Sequence, residues 1–278
     1  MTSSSTNLDL EILISTMNRD SLDFLIPMFP FSHFSQYSIL IINQTEKDRI
    51  LVSDLPNVRV MNVFEKGLSG SRNTAIKNAS KKIGLISDDD VVYLPGFDAA
   101  IVQAFETSEN AIVTFNHRRM GLENPQNLSK NPYNHNSKTI WEVCSIEIAF
   151  RVNEIRKNNL LFNENFGLGA AFETAEELLF LRKALQLKLK TAFNPFVIEE
   201  HPLLTSGDRQ GQDKLIFARA ALSYKLRGAL TYIWLPKFLL FLLQHNFIRR
   251  DEYVSKFKIG LSGIRKYKAL ERLQTEKY

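Results

Sequence analysis

Cysteine is almost missing: Cys144 is the one thiol in 278 residues. One thiol closes no intramolecular disulfide and builds no cysteine-based zinc site, and it suits a reducing compartment. Tryptophan is scarce too, two against twenty phenylalanines, so phenylalanine is expected to stock the apolar core. No run reaches the roughly 18 uninterrupted apolar residues that span a bilayer. The densest, Ala229 to Leu243, is broken by Pro236 and Lys237. Met1 to Asn7 has neither the basic start nor the apolar stretch of a secretory leader. A cytoplasmic location is therefore expected, either free or peripheral on the inner face of the membrane. A hydrophobic share of 44% with 23% charged residues excludes a fully disordered chain. No internal repeat is evident.

The net charge of +5 is concentrated at one end. Beyond Gln244 there are nine Lys/Arg against four acids, and the rest of the chain is neutral. A basic tail that follows the most apolar segment suits an anionic membrane surface better than nucleic acid, and no nucleic-acid partner is expected.

Apolar runs at Leu10–Ser15, Tyr37–Asn43, Val58–Val63 and Ile83–Ser87 read as buried strands. Helix-like stretches at Arg19–Phe31, broken by Pro27 and Pro30, and at Ser71–Lys82 lie between them. Such alternation predicts a mostly parallel sheet with helices on its faces. Beyond it, Pro95–Thr107 reads as a helix and Ala111–Phe115 as a strand. Residues 116–138 read as a long polar loop, and Thr139–Val152 as one or two strands. Thr174–Leu187 reads as a helix with an acidic first turn, which complements its dipole. Leu189–Phe193 returns as a strand. The last third is helical, with Leu215, Ala218, Leu222, Leu226 and Leu230 on one face. A polar stretch, Gly207 to Gln212, marks the expected boundary.

Four groups of residues carry chemistry. Ser87-Asp88-Asp89-Asp90 ends a buried strand, where open α/β sheets bind ligands. Three adjacent carboxylates repel unless cations lie among them, and their oxygens suit Mg²⁺ or Mn²⁺. Lys66-Gly67-Leu68-Ser69-Gly70-Ser71-Arg72-Asn73 is a Gly/Ser loop entering a helix, a setting that favours phosphate or serves as a plain cap. Gly167-Leu168-Gly169 precedes Glu176-Glu177 at a helix start. Glu199-Glu200-His201-Pro202 closes the series.

Taken in order, KGLSGSRNTAI, LISDDDV, FGLGAAFETAEELLFL and EEHP resemble a family-2 nucleotide-sugar glycosyltransferase over roughly residues 10 to 205. The resemblance implies an α/β GT-A fold, a mostly parallel Rossmann-like sheet flanked by helices, with a C-terminal helical extension. It implies a domain at 1–207, with a nucleotide-binding half at about 8–98 and an acceptor half at about 99–207, followed by a basic helical extension at 208–278. Asp88, Asp89 and Asp90 match the Asp-x-Asp motif. Asp90 is then the foremost metal ligand, with Asp88 at the ribose or sharing the metal, and His201 matches a histidine near the metal and diphosphate. Ser15, Thr16, Asn43, Arg72, Asp88 and Asp89 would line the nucleotide-sugar site. Glu177, with Glu176 as the alternative, would be the catalytic base. The implied reaction is inverting transfer from a nucleoside-diphosphate sugar, with UDP as the expected base, to a glycan or lipid-linked acceptor in surface polysaccharide assembly, assisted by Mn²⁺ or Mg²⁺.

Two departures stand out. Asn43-Gln44 occupies the place where the family often has an acid facing the uracil, and Glu replaces the usual Asp of the base pair. A sugar nucleotidyltransferase would carry a Gly-rich loop after its first strand, where this chain has STMNRD. A glycoside hydrolase uses two carboxylates but needs no Ser-Arg-Asn loop. A non-catalytic membrane-associated binding protein explains the tail but not the three acids.

Overall fold

The structure is a computed structural model that describes residues 9–121, 128–202 and 210–275. Met1–Asn7, part of the Gly207–Gln212 boundary and part of the 116–138 segment lie outside the described residues. The chain forms two compact units. One comprises Met1–Asn163 with Glu176–Leu203, the other Glu164–Ala175 with Leu204–Tyr278.

The first unit is built on a sheet. In chain order its elements are β1 (Leu10–Met17), α1 (Leu25–Met28), β2 (Ser38–Gln44), β3 (Val58–Val63), α2 (Leu68–Asn78), β4 (Ile83–Asp88), β5 (Val92–Tyr93) and α3 (Phe97–Glu106). There follow β6 (Ile112–Arg119), β7 (Tyr133–Asn134), β8 (Ile148–Arg151), α4 (Val152–Lys157), α5 (Glu176–Gln186) and β9 (Thr191–His201). The strand order is β3-β2-β1-β4-β8-β6-β9-β5, with β7 also on β9. The four strands from β3 to β4 are parallel, as are β6 and β9, and short antiparallel ladders join the rest.

The strands β1, β2 and β4 are apolar on both faces because both are covered. Leu10, Ile12 and Ile14 of β1 join Ile39 and Ile41 of β2 and Phe97, Ile101 and Phe105 of α3 in one core cluster. The intervening Leu13 and Leu40, opposite each other in register, turn to the other side. Gly84 in β4 is needed there, since a Cβ would come within 2.9 Å of Leu13 and 3.0 Å of Phe150.

Four readings change. The Arg19–Phe31 stretch yields only the four-residue α1, because Pro27 and Pro30 withhold backbone donors. The stretch after Phe115 is not all loop: β6 runs on to Arg119, paired with β9. β9 itself continues past Phe193 to His201, so Glu199 and His201 stand on a strand. Thr139–Val152 holds two 3-10 turns before the short β8.

The second unit is helical: α6 (Asp213–Arg227), α7 (Thr231–Gln244) and α8 (Tyr253–Thr275). Ile216, Ala220, Leu235, Leu239, Leu242, Ile248 and Ile264 form its core. The Gly167-Leu168-Gly169 loop belongs to this unit, and its neighbour Phe172 packs on Phe217 and Tyr267. By length and composition the run Asp213–Gln244 is apolar enough to cross a membrane, which a search for uninterrupted apolar residues does not detect. That run is broken at Gly228 (φ 58°).

Candidate active site

The three acids at the end of β4 are each met by a different cation. Ser15 and Asp88 lie opposite one another in the β1–β4 ladder, so they share a side of the sheet. α2 meets them there: the Ser71 hydroxyl donates to Ser15 Oγ at 2.9 Å, and Arg72 Nη2 donates to Asp88 Oδ1 at 2.9 Å. Asp89 instead accepts from the Thr16 hydroxyl and from Arg19, whose Nε and Nη2 lie 3.0 and 2.7 Å away. Asp90 faces His201, with Oδ1 3.2 Å from Nε2.

The histidine is shaped by its second nitrogen, since Nδ1 donates to the Pro202 carbonyl at 2.8 Å. With acceptors on both sides the ring favours its doubly protonated form. The hydrogen bond to Asp90 outweighs burial and raises the His201 pKa, while the same bond lowers that of Asp90.

Arg72 is 1% exposed. Its Nη1 donates to Glu176 Oε1 at 3.0 Å, and Nη2 also donates to Ser145 Oγ at 2.8 Å. Phe162 lies against the guanidinium, 5.6 Å from its ring centre. Burial works against the charge, but Asp88 and Glu176 more than offset it, and the pKa is raised. The resemblance implies a contact between Arg72 and the nucleotide. The structure places the guanidinium inside the protein, bridging the acid at the β4 end to the acid that opens α5.

Glu176 and Glu177 are therefore unequal. Glu176 is buried and tied to Arg72. For Glu177, burial first, and then the charge of Glu176, push the carboxyl up to about 8. A carboxylate that holds its proton so tightly is a stronger base than an ordinary one. The residue before the pair, Ala175, has φ 57°.

Asn43 is fully buried and its amide is committed. Oδ1 accepts the Arg19 N–H at 3.1 Å, and Nδ2 donates to the Arg19 carbonyl and to Asn62 Oδ1, each at 3.0 Å. Asn43 thus shapes the turn that carries Arg19. Gln44 accepts the Gly67 N–H at 2.7 Å and braces the glycine entry to α2, where Gly67 has φ 133°. Asn73 clamps Phe162 through both its backbone donor and its acceptor, at 2.8 and 3.0 Å.

Sequence reasoning missed Arg19, whose one signal was its place after the first strand. It also missed a second polar group. His117 Nδ1 lies 2.7 Å from Glu147 Oε1, and Glu147 Oε2 accepts the Cys144 N–H at 2.9 Å. Nothing in the spacing of 117, 144 and 147 announces a common site. Burial, then the Glu147 charge, push the Cys144 thiol up to about 12, so it is no nucleophile.

The sequence matches the family described as Glycosyl transferase family 2 over residues 33–172, half of the chain. No curated protein matches it. Among solved structures, S. aureus TarS 1-349 aligns with a TM-score of 0.58 at 15% identity, covering 94% of this chain and 83% of that one. The complex of TarS 1-349 with UDP aligns with a TM-score of 0.55 at 14% identity, covering 96% and 92%. Against the longer S. aureus TarS chain the score is 0.55 at 14% identity, and this chain covers 50% of it. At such identities the likeness speaks for the fold. The acid-ended strand and the mostly parallel sheet flanked by helices agree with the family match: the chain belongs to glycosyl transferase family 2 and is a glycosyltransferase.

Proposed function

We propose that this glycosyltransferase moves a sugar, with inversion, from a UDP-sugar to a glycan or lipid-linked acceptor in surface polysaccharide assembly. The observation that carries this reading is the Arg72 bridge, which ties Asp88 to Glu176 and so links the donor acids to the opening of α5. The UDP and UDP-GlcNAc complexes of TarS support UDP as the base.

The donor set at Asp90 and His201, one oxygen and one nitrogen 3.2 Å apart and partly exposed, fits Mn²⁺ or Mg²⁺ once an ion replaces the proton on His201 Nε2, with Asp88 alongside. Such an ion, when bound, neutralises the departing diphosphate. Arg19, half-exposed beside Asp89 and stacked 4.9 Å from the Phe24 ring centre, is placed to meet the nucleotide with Thr16 and Ser15. Arg72 acts through its neighbours as a positioning residue: its two guanidinium nitrogens hold the carboxylates of Asp88 and Glu176 in place. Glu177 takes the proton from the acceptor hydroxyl as that oxygen attacks the face opposite the leaving group. A single displacement with a single base inverts the sugar carbon.

The second unit supports a peripheral site on an anionic membrane. Tyr232, Ile233, Leu240 and Phe241 of α7 are exposed, and Arg249 and Arg250 follow them. The alternative is that these helices serve only as packing for an acceptor region, and Leu235, Leu239 and Leu242 show how one face is already buried.

The test is a donor-hydrolysis screen across UDP-, GDP- and dTDP-sugars with Mn²⁺ or Mg²⁺, paired with thermal melting. UDP with Mn²⁺ should raise the melting temperature by mass action. Hydrolysis of no donor, together with an unmoved melting temperature, would refute the reading.

A further inference from the structure

Glu199 is the most unusual acid in the first unit. It is 0% exposed, and neither side-chain oxygen has a hydrogen-bond partner. A buried carboxyl without partners is costly in either protonation state. It lies opposite His117 in the β6–β9 ladder and opposite Tyr93 in the β5–β9 ladder. Tyr93 does not satisfy it, since its hydroxyl donates to Ser87 at 2.8 Å. Among charged neighbours, Glu147 acts on Glu199 most strongly, and Glu199 in turn acts on the Cys144 thiol. The orphaned carboxyl therefore adjoins the group formed by His117, Cys144 and Glu147.

That group already has the spacing of a coordination shell. One donor atom from each of His117, Cys144 and Glu147 lies within 4.8 Å of the other two. His117 is buried and the other two are partly buried. The Cys144 backbone N–H holds Glu147 Oε2, which leaves Oε1 turned to His117. Nitrogen, sulfur and carboxylate oxygen together are donors for a borderline ion of the Zn²⁺ class, unlike the harder set at Asp90, and this mixed set departs from the expectation that a single thiol builds no zinc site.

We propose that His117, Cys144 and Glu147, with the unpaired Glu199 adjoining them, form a second cation site, separate from the one at Asp90 and His201, that takes Zn²⁺ or a similar late first-row ion. Three protein ligands come from the triad, and Glu199 lies outside them as a buried carboxyl that supports the ligands. The ion displaces the thiol proton on binding. Its charge offsets those of Glu147, Asp88 and Asp90, the acids that act on Glu199. Its role is to hold β6, β9 and the turn before β8 together behind the reacting acids. The inference does not need the donor or acceptor to be as proposed above.

The experiment is a Co²⁺ titration of the full, metal-stripped chain, followed by absorption. A thiolate ligand gives Co²⁺ a charge-transfer band in the near ultraviolet, and Zn²⁺ should displace it. The band is expected in the wild type and in Asp90→Ala, and should vanish in Cys144→Ser, which is nearly isosteric. Glu199→Gln should keep the band but weaken Co²⁺ binding on the order of tenfold or more. Circular dichroism of each variant separates ligand loss from misfolding. Absence of a thiolate band in folded wild-type protein overturns the proposal. So does a band that survives Cys144→Ser, one that disappears in Asp90→Ala, or an unchanged affinity in Glu199→Gln.

Discussion

Three adjacent aspartates are tolerated at one strand end because Arg72, Arg19 and His201 each answer one of them. Consequences follow residue by residue. Asp90→Ala removes the carboxylate of the Asp90–His201 pair while leaving the Arg72 and Arg19 pairs whole. Turnover should fall roughly 10²-fold or more, with UDP binding in the absence of metal retained. Wild-type rates in that variant, measured by donor hydrolysis, would remove Asp90 from the metal site. Glu177→Gln keeps shape and loses basicity, and should cost roughly 10²-fold or more in kcat. Its pH profile is the sharper check. With the free carboxyl raised to about 8, kcat/KM should climb with pH and level off above about 8. Glu177→Gln should flatten that rise, whereas a wild-type profile flat from the acid side would contradict the assignment. Stability moves the other way. A carboxyl raised from 4.5 favours the folded state fully below 4.5, and this contribution is lost as pH rises through about 8. Arg72→Met would strand Asp88 and Glu176 beside each other, at a cost of about 3–5 kcal/mol, read as a lower denaturant midpoint.

At the scale of elements, two glycines matter for opposite reasons. Gly67 opens α2 at φ 133° with nothing within 4 Å of an added Cβ, so the constraint is conformational. Gly67→Ala should cost about 1–3 kcal/mol and loosen the loop that Gln44 braces. Gly263 sits within α8, where a Cβ would lie 2.2 Å from the Phe217 carbonyl oxygen of α6. Alanine is the better helix former by up to about 1 kcal/mol. A clash with rigid backbone outweighs that gain, because α6 and α8 must part. Gly263→Ala should therefore destabilise the helical unit by about 1–3 kcal/mol in calorimetry. A more stable Gly263→Ala protein would mean that the two helices separate freely.

At the scale of the whole molecule, charge and apolarity are segregated. The +5 net charge lies beyond Gln244, directly after a helix with exposed Ile233, Leu240 and Phe241. Each basic residue close to an anionic surface contributes about 1 kcal/mol, and salt screens it. Co-sedimentation with anionic vesicles is expected, with weaker binding at high salt and less on neutral vesicles. Equal partitioning to both, or to neither, would leave helix packing as the reason for this composition.

Much was legible in the sequence. Buried strands at 10–15, 37–43, 58–63 and 83–87, helices at 71–82 and 174–187, each within a few residues of the observed ends, and the helical last third follow from apolar periodicity, which reports the backbone and the side each residue presents. The family resemblance followed from short segments in order, because those segments are continuous in the chain. What periodicity cannot carry is which distant charges meet. Arg72 reaches Glu176 across 104 positions and Asp88 across 16, and Arg19 reaches Asp89 across 70. These pairings are set by sheet register and by where α2 lies on β1 and β2. For the same reason only the first parts of β6 and β9 were read as strand: their polar ends, His117 to Arg119 and Glu199 to His201, are strand because they pair with each other. The kinds of residues the chemistry needs were written in the chain; their partners were decided by the tertiary structure, since charge pairing depends on distance in space and not on separation along the sequence.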